Sequence, residues 1–348
     1  MAEHARLAGL QQLRFVAAFL VLVHHVFEEL RAHPQVHLPD TLVALGACGV
    51  DIFFVISGYV MWHSTRGFAA GVRATDFLRR RARRIYPIYW ACLGLLLLAW
   101  ASGLAYRSLA VEPMRLLSSI TLIPLAGRDA PLILGVAWTL VYEMYFYLVC
   151  ALVLSLRGAV RGALAVPLLL ALLPPLAWLG GWEAGWRWFT SPLVLEFCFG
   201  LWLGASRFTP GPHLRRALWV VAAACFVSAT LLWRDPATHS LNDATRWLAW
   251  GLPATLAVMA SLPHPLASGR AGAWMTRLGD ASYALYLSHG FVMISLATWL
   301  RVAAPSLPLA VAGGIAAVCA SLAVGLVFHH VLERRAGPWL ARRRGAQT

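Results

Sequence analysis

The chain has 348 residues, 60% of them hydrophobic and only 13% charged, with a mean hydropathy of +0.67. A water-soluble domain carries far more charge, so this composition excludes an ordinary globular protein and indicates a polytopic membrane protein. The formal net charge of +14 comes entirely from arginine, since the chain contains no lysine, and the arginines gather between apolar runs. The basic excess therefore reports topology, and no nucleic-acid partner is expected.

Windows of about 20 apolar residues, enough to cross about 30 Å of hydrocarbon, divide the chain into ten predicted transmembrane helices. They lie at residues 10–29, 42–63, 85–105, 133–156, 162–181, 190–206, 217–233, 247–262, 281–300 and 307–330. The expected fold is an all-α bundle of about ten transmembrane helices, a single domain over residues 1–348 with no appended soluble domain. Met1–Gly9 is short and the first apolar run is overlong for a signal h-region, so no cleavable signal peptide is expected. With both termini on one side, 20 of the 29 arginines fall on that side and eight on the other, leaving Arg14 inside a span. The positive-inside rule then makes both termini cytoplasmic. The six cysteines lie in or beside spans without CxxC spacing and read as small buried hydrophobes.

The first span holds Arg14 and His25. A guanidinium in an apolar helix costs at least about 2.5 kcal/mol. Eleven residues turn a helix about three times, so the two side chains share a face about 16 Å apart in depth. His24 points about 100° away. A cation and a titratable imidazole along one wall suit a functional lumen, although Arg14 snorkelling to one interface and His25 capping the other end would also place them so.

The second span, Gly49–Tyr59, carries Asp51 and Ser57. Asp51 suits a helix cap or a site. Ser57 has no Gly-x-Ser-x-Gly elbow around it and gives little support to a seryl mechanism. Between spans two and three, the long connection 64–84 ends in Arg79, Arg80, Arg81, Arg83 and Arg84, followed by Tyr86. Five arginines in six positions exceed what orientation needs and suit a phosphate-bearing cytosolic molecule, with anionic lipid headgroups as the competing ligand. The connection 106–132 contains Pro113–Pro124, too short to span and expected to be re-entrant or interfacial.

Glu143 falls near the middle of span four, among Trp138, Tyr142, Tyr145 and Tyr147. A carboxylate at that depth must be paired or protonated, as a proton carrier or as the counter-ion of Arg14. Trp178, Trp182, Trp186 and Trp188 gather near span ends, where indoles suit the headgroup region. Glu196 lies in span six. Tyr283, Tyr286 and His289 recur every three residues and follow one face of span nine. Glu333 adjoins Arg334 and Arg335 as an expected interfacial ion pair. No internal repeat is evident, which disfavours an inverted-repeat transporter.

These residues, in this order, resemble the acyltransferase-3 family of bacterial integral membrane O-acyltransferases. Arg14 with His25 resembles its first-helix motif, and Gly49–Tyr59 its second-helix signature. Arg81-Ala-Arg-Arg84 before Ile-Tyr-Pro resembles its Arg-x-x-Arg motif, with Arg79, Arg80 and Arg83 leaving the register open by one position. Trp138–Leu148 resembles its glutamate segment, and Ser282–His289 and His330–Glu333 its C-terminal marks. Ala336-Gly-Pro338 departs from relatives that place proline closer to that glutamate.

The resemblance implies transfer of an acyl group, most often acetyl, from cytoplasmic acyl-CoA to a hydroxyl of a carbohydrate or lipid-linked glycan, without a metal. It implies a bacterial inner-membrane location among membrane lipids, and a homodimer stays open. The implied roles are His25 as base, Glu143 as its relay, and Arg14 as partner of Glu143 or polariser of the acyl carbonyl. Arg80, Arg81, Arg83, Arg84 and Tyr86 would bind the donor. Asp51, Ser57, Trp138, Tyr142, Tyr286 and His289 would line the substrate pocket. The rival class is a multi-span transporter or flippase for a glycolipid or polar solute, with a proton path through Arg14, His25 and Glu143.

Overall fold

A computed structural model describes residues 2–65, 68, 72–103, 110–125, 132–156, 162–180, 187–206, 208–232, 243–262 and 264–335. Among these the secondary structure is helical, with no strand. In chain order the helices are α1 (Ala2–Arg31), α2 (Asp40–Leu45), α3 (Gly49–Ser64), α4 (Ala74–Ala101), α5 (Pro113–Thr121), α6 (Trp138–Ser155), α7 (Gly162–Leu179) and α8 (Arg187–Thr190). There follow α9 (Leu195–Ser206), α10 (Pro212–Leu232), α11 (Asp243–Ala249), α12 (Gly251–Ser261), α13 (Gly269–Asp280), α14 (Ser282–Ala303) and α15 (Leu307–Phe328). A π-helical turn, His329–Arg335, extends α15. Trp182 and Trp186, Ala336–Pro338, and Arg66, Arg107, Arg128, Arg157, Arg161, Arg207, Arg234, Arg342, Arg343 and Arg344 lie outside the described residues, as does the side chain of Glu333.

Seven of the ten expected spans coincide with helices long and apolar enough to cross a membrane: Ala8–Arg31, Asp40–Ser64, Ala74–Ala101, Gly135–Ser155, Pro212–Leu232, Ser282–Ala303 and Leu307–Leu332. The stretch expected at 162–181 forms the 18-residue helix α7, which is not among those seven. The other two differ. Residues 190–206 shrink to the apolar stretch Pro192–Ser206, because Pro192 opens a separate turn after Ser191. Residues 247–262 are interrupted between α11 and α12 at Trp250 and Gly251. A further correction concerns the arginine cluster, which the sequence puts in the connection 64–84. Here it forms the early turns of α4, since arginine is a good helix former and Asp76 suits the N-terminal turn.

The described chain packs as two compact units, two of their boundaries falling inside α3 and α12. The first comprises Met1–Phe53, Thr209–Leu241 and Leu256–Thr348. Its core joins Leu22, Val26 and Leu30 of α1 to Leu285, Leu296 and Leu300 of α14 and Ala310 of α15. A Cβ on Gly49 would stand 2.2 Å from the Ala17 carbonyl oxygen, so glycine lets the first turn of α3 lie against the α1 backbone. Gln12 latches α1 to the start of α13. Its Nε2 donates to the carbonyls of Ala267 (3.0 Å) and Gly272 (3.1 Å), and its Oε1 accepts from the Ala267 amide at 2.9 Å. Arg31 meets Asp40 at 2.8 Å, joining the end of α1 to the start of α2.

The second unit comprises Phe54–Phe208 and Asn242–Thr255. Phe197 is sandwiched by Phe146 at 4.4 Å and Phe54 at 4.6 Å between ring centres. Gly58 of α3 and Gly200 of α9 meet at the backbone crossing, where either added Cβ would stand 2.0 Å from a carbonyl oxygen of the other helix. The nine-residue α5 confirms that Pro113–Pro124 is too short to span. Its last carbonyls, which no helical amide can reach, are satisfied by α4. Tyr86 Oη donates to Thr121 at 2.8 Å, Trp90 Nε1 to Ile120 at 2.9 Å, and Tyr89 Oη to Ser119.

Candidate active site

His25 lies in the last turns of α1, beside His24 and one turn before Glu28. Its Nδ1 stands 2.7 Å from Glu28 Oε2. A carboxylate only accepts, so Nδ1 carries the hydrogen and Nε2 of the neutral ring is left with its lone pair. The opposite oxygen of Glu28 lies 3.5 Å from His24 Nε2. His24 Nδ1 in turn donates to the Val43 carbonyl at 2.7 Å. Gly46 makes this approach possible, since its Cβ would stand 2.8 Å from that of His24.

His289, fully buried in α14, stacks on His25 with ring centres 5.1 Å apart and planes 27° apart. Its Nδ1 faces the Leu285 carbonyl at 3.3 Å, and its buried Nε2 has no hydrogen-bond partner among the described residues. Tyr286, also buried, lies against His289 and Phe53. Arg14 is half-buried earlier in α1 and donates to Gln11 Oε1 at 3.2 Å. Asp51 is completely enclosed in the first turn of α3, where the helix dipole favours a carboxylate.

The second unit holds a separate polar chain. Glu143 Oε1 accepts from Ser57 Oγ at 3.2 Å and from the Tyr147 hydroxyl. The Tyr147 ring lies 5.7 Å from the Arg81 guanidinium, which stands at the same distance from the Phe77 ring. Helical phase separates the five arginines: Arg81 is buried, whereas Arg79, Arg80, Arg83 and Arg84 are exposed. Arg81 Nε is buried without a hydrogen-bond partner among the described residues. One enclosed guanidinium with a spare donor, beside exposed arginines on the same helix, is a fitting receptor for a phosphate-bearing ligand.

Tyr142 packs between Trp138 (5.9 Å) and Trp188 (5.3 Å). Arg246 covers this aromatic group, its guanidinium 5.8 Å from the Trp138 ring and 5.0 Å from that of Trp250. The expected spans 217–233 and 247–262 leave Arg246 in the connection between them. It is buried in α11 instead, because the two indole faces replace water around its charge.

The structure thus brings His25, His289 and Tyr286 together, and likewise Arg81, Glu143 and Ser57. Tyr86 departs from the expected donor site, since its hydroxyl caps α5. Ser57 acts as a donor to Glu143. Glu28, Tyr147, Phe77 and Arg246 were not expected in the site. Glu28 stands three residues from His25 and Tyr147 four from Glu143, the helical spacing that would have revealed both.

Residues 7–326 match the acyltransferase-3 family, described as an acyltransferase domain. The chain is also similar to the "Exopolysaccharide production protein ExoZ" of Rhizobium meliloti (strain 1021), 32% identical over 313 residues that cover 87% of this chain and 92% of that protein. No solved structure matches.

Proposed function

The chain belongs to the acyltransferase-3 family, and from that premise we propose that it moves an acetyl group from cytoplasmic acetyl-CoA to a hydroxyl of a cell-envelope glycan. The similarity to an exopolysaccharide production protein supports a polysaccharide acceptor. The arginine distribution supports about ten membrane crossings in a bacterial inner membrane, with both termini cytoplasmic.

The observation that carries the reading is the contact of His25 with Glu28. With Nδ1–H held by the carboxylate, Nε2 takes the proton of the acceptor hydroxyl as its oxygen attacks the thioester carbonyl. The C–O bond forms, the C–S bond breaks, and the imidazolium returns the proton to the departing CoA thiolate. Arg81 and the exposed arginines of α4 hold the donor's phosphates. Arg14 lies eleven residues from His25, about 16 Å along the helix. That is too far for it to polarise the carbonyl attacked next to His25. Glu143, held by Ser57 and Tyr147, orders the chain of groups that ends at Arg81.

The test is incubation of purified protein with radiolabelled acetyl-CoA and a glycan acceptor. Transfer should fall by about 100-fold or more in His25→Ala, the usual scale of losing a general base. Transfer at the wild-type rate by that variant sinks the assignment of the base. A folded protein that neither binds CoA nor turns it over supports the transporter class instead.

A further inference from the structure

Two imidazoles and a carboxylate of α1 converge on one point. One ring nitrogen each of His24 and His25 and an oxygen of Glu28 lie within 4.8 Å of one another, a grouping of metal-ligating atoms that the acyl-transfer reading does not use as such. Two histidines, one glutamate and an open fourth position are a recognised zinc donor set.

The separations of the two histidines from Glu28 suit ligands of one ion. Two ligands each about 2.1 Å from a tetrahedral centre stand about 3.4 Å apart. His24 Nε2 and Glu28 Oε1 are already 3.5 Å apart. His25 Nδ1 and Glu28 Oε2, at 2.7 Å, are held together by the hydrogen that an ion would replace.

The surroundings are arranged for it as well. His24 donates its other ring hydrogen to the Val43 carbonyl at 2.7 Å, the outer-shell bond that fixes a ligating imidazole with its lone pair outward. His289 stacks on His25 and holds its ring plane. The Glu28 side chain is 48% exposed, which leaves an entry path.

We propose that His24, His25 and Glu28 bind a zinc-class divalent cation that reversibly switches the protein off. Binding of the ion rests on the cluster alone, whereas the inhibition rests on His25 being the base. In the metal-free ring the hydrogen sits on Nδ1 and the lone pair on Nε2. An ion at Nδ1 displaces that hydrogen, and the neutral ring then carries its hydrogen on Nε2. No net proton is gained or lost, but the lone pair that accepts the hydroxyl proton is gone.

The experiment uses full-length detergent-purified protein, stripped with chelator, with Cys225 and Cys319 changed to serine so that exposed thiols hold no metal. Zinc binding is measured by competition with a chromophoric chelator, and acetyl transfer is followed in parallel. Wild-type His24 should bind one zinc per chain, and zinc on the order of micromolar should stop transfer until chelator restores it, with magnesium inert. His24→Ala, with His24→Asn as a second variant, should keep basal transfer while losing the zinc and raising the inhibitory concentration at least about tenfold. Unchanged stoichiometry and unchanged inhibition in both folded variants overturn the proposal. If zinc binds through His24 yet no transfer is seen under any condition, the metal site stands and the acyltransferase assignment fails.

Discussion

Glu28 accepts the Nδ1 hydrogen of His25 across 2.7 Å, one helical turn further along α1. The tautomer of His25 is therefore set by its own helix, and in the proposed mechanism the carboxylate also steadies the imidazolium that forms when a proton is taken up. Glu28→Gln keeps an acceptor oxygen but loses the charge. Its kcat should fall about 10- to 100-fold, the usual scale for outer-shell partners of a working imidazole, with the KM for acetyl-CoA unchanged. Glu28→Asp should recover part of the loss. A kcat indifferent to both changes would remove Glu28 from the mechanism.

Arg81 and Arg84 should separate into two behaviours. Arg81 is buried against Phe77 and Tyr147, so Arg81→Ala should both weaken CoA binding and lower Tm, by a contact energy of about 1–2 kcal/mol. Arg84 is exposed, and Arg84→Ala should raise the donor KM about tenfold or more while leaving Tm in place. Thermal melts with and without CoA read both effects. Equal Tm loss in the two variants would contradict the separation.

Gln12→Leu should cost about 1–3 kcal/mol, because it removes the hydrogen bonds that join α1 to the carbonyl and amide of Ala267 and to the Gly272 carbonyl. The activity of the protein that still folds should be unaffected. A chemical-denaturation midpoint equal to wild type would show that the latch carries no stability.

Gly58→Ala should be among the most damaging small substitutions, since its Cβ would stand 2.0 Å from the Phe197 carbonyl oxygen and neither backbone can yield cheaply. Overpacking of this kind costs about 1–3 kcal/mol or more. Gly290→Ala is the control, as nothing lies within 4 Å of the added Cβ. Yields of folded protein on size-exclusion chromatography should differ sharply between the two.

The helices were readable wherever an apolar run had the length of a span, but their ends were not. Hydropathy marks the greasy stretch rather than the helix, so α4 begins at Ala74 rather than residue 85 and carries its arginines on helical turns. His25 and Glu143 stood out because each interrupts an apolar run. Glu28 did not, because it lies beside Glu29 and Arg31 at the end of a span, where charge is ordinary. Choosing Arg81 among five arginines needed the rotational setting of α4, which depends on where Phe77 and Tyr147 pack. Arg246 was misplaced because a buried guanidinium between two indoles joins residues that no local pattern connects.

The three aromatic donors of α4 hold α5 by its backbone oxygens and not by its side chains. Docking of this kind places no demand on which amino acids α5 presents on its other faces. Met114, Leu117 and Ile120 are exposed there and can drift in sequence without loosening the attachment. The segment is thus a place where closely related chains can diverge in surface character while keeping the same frame.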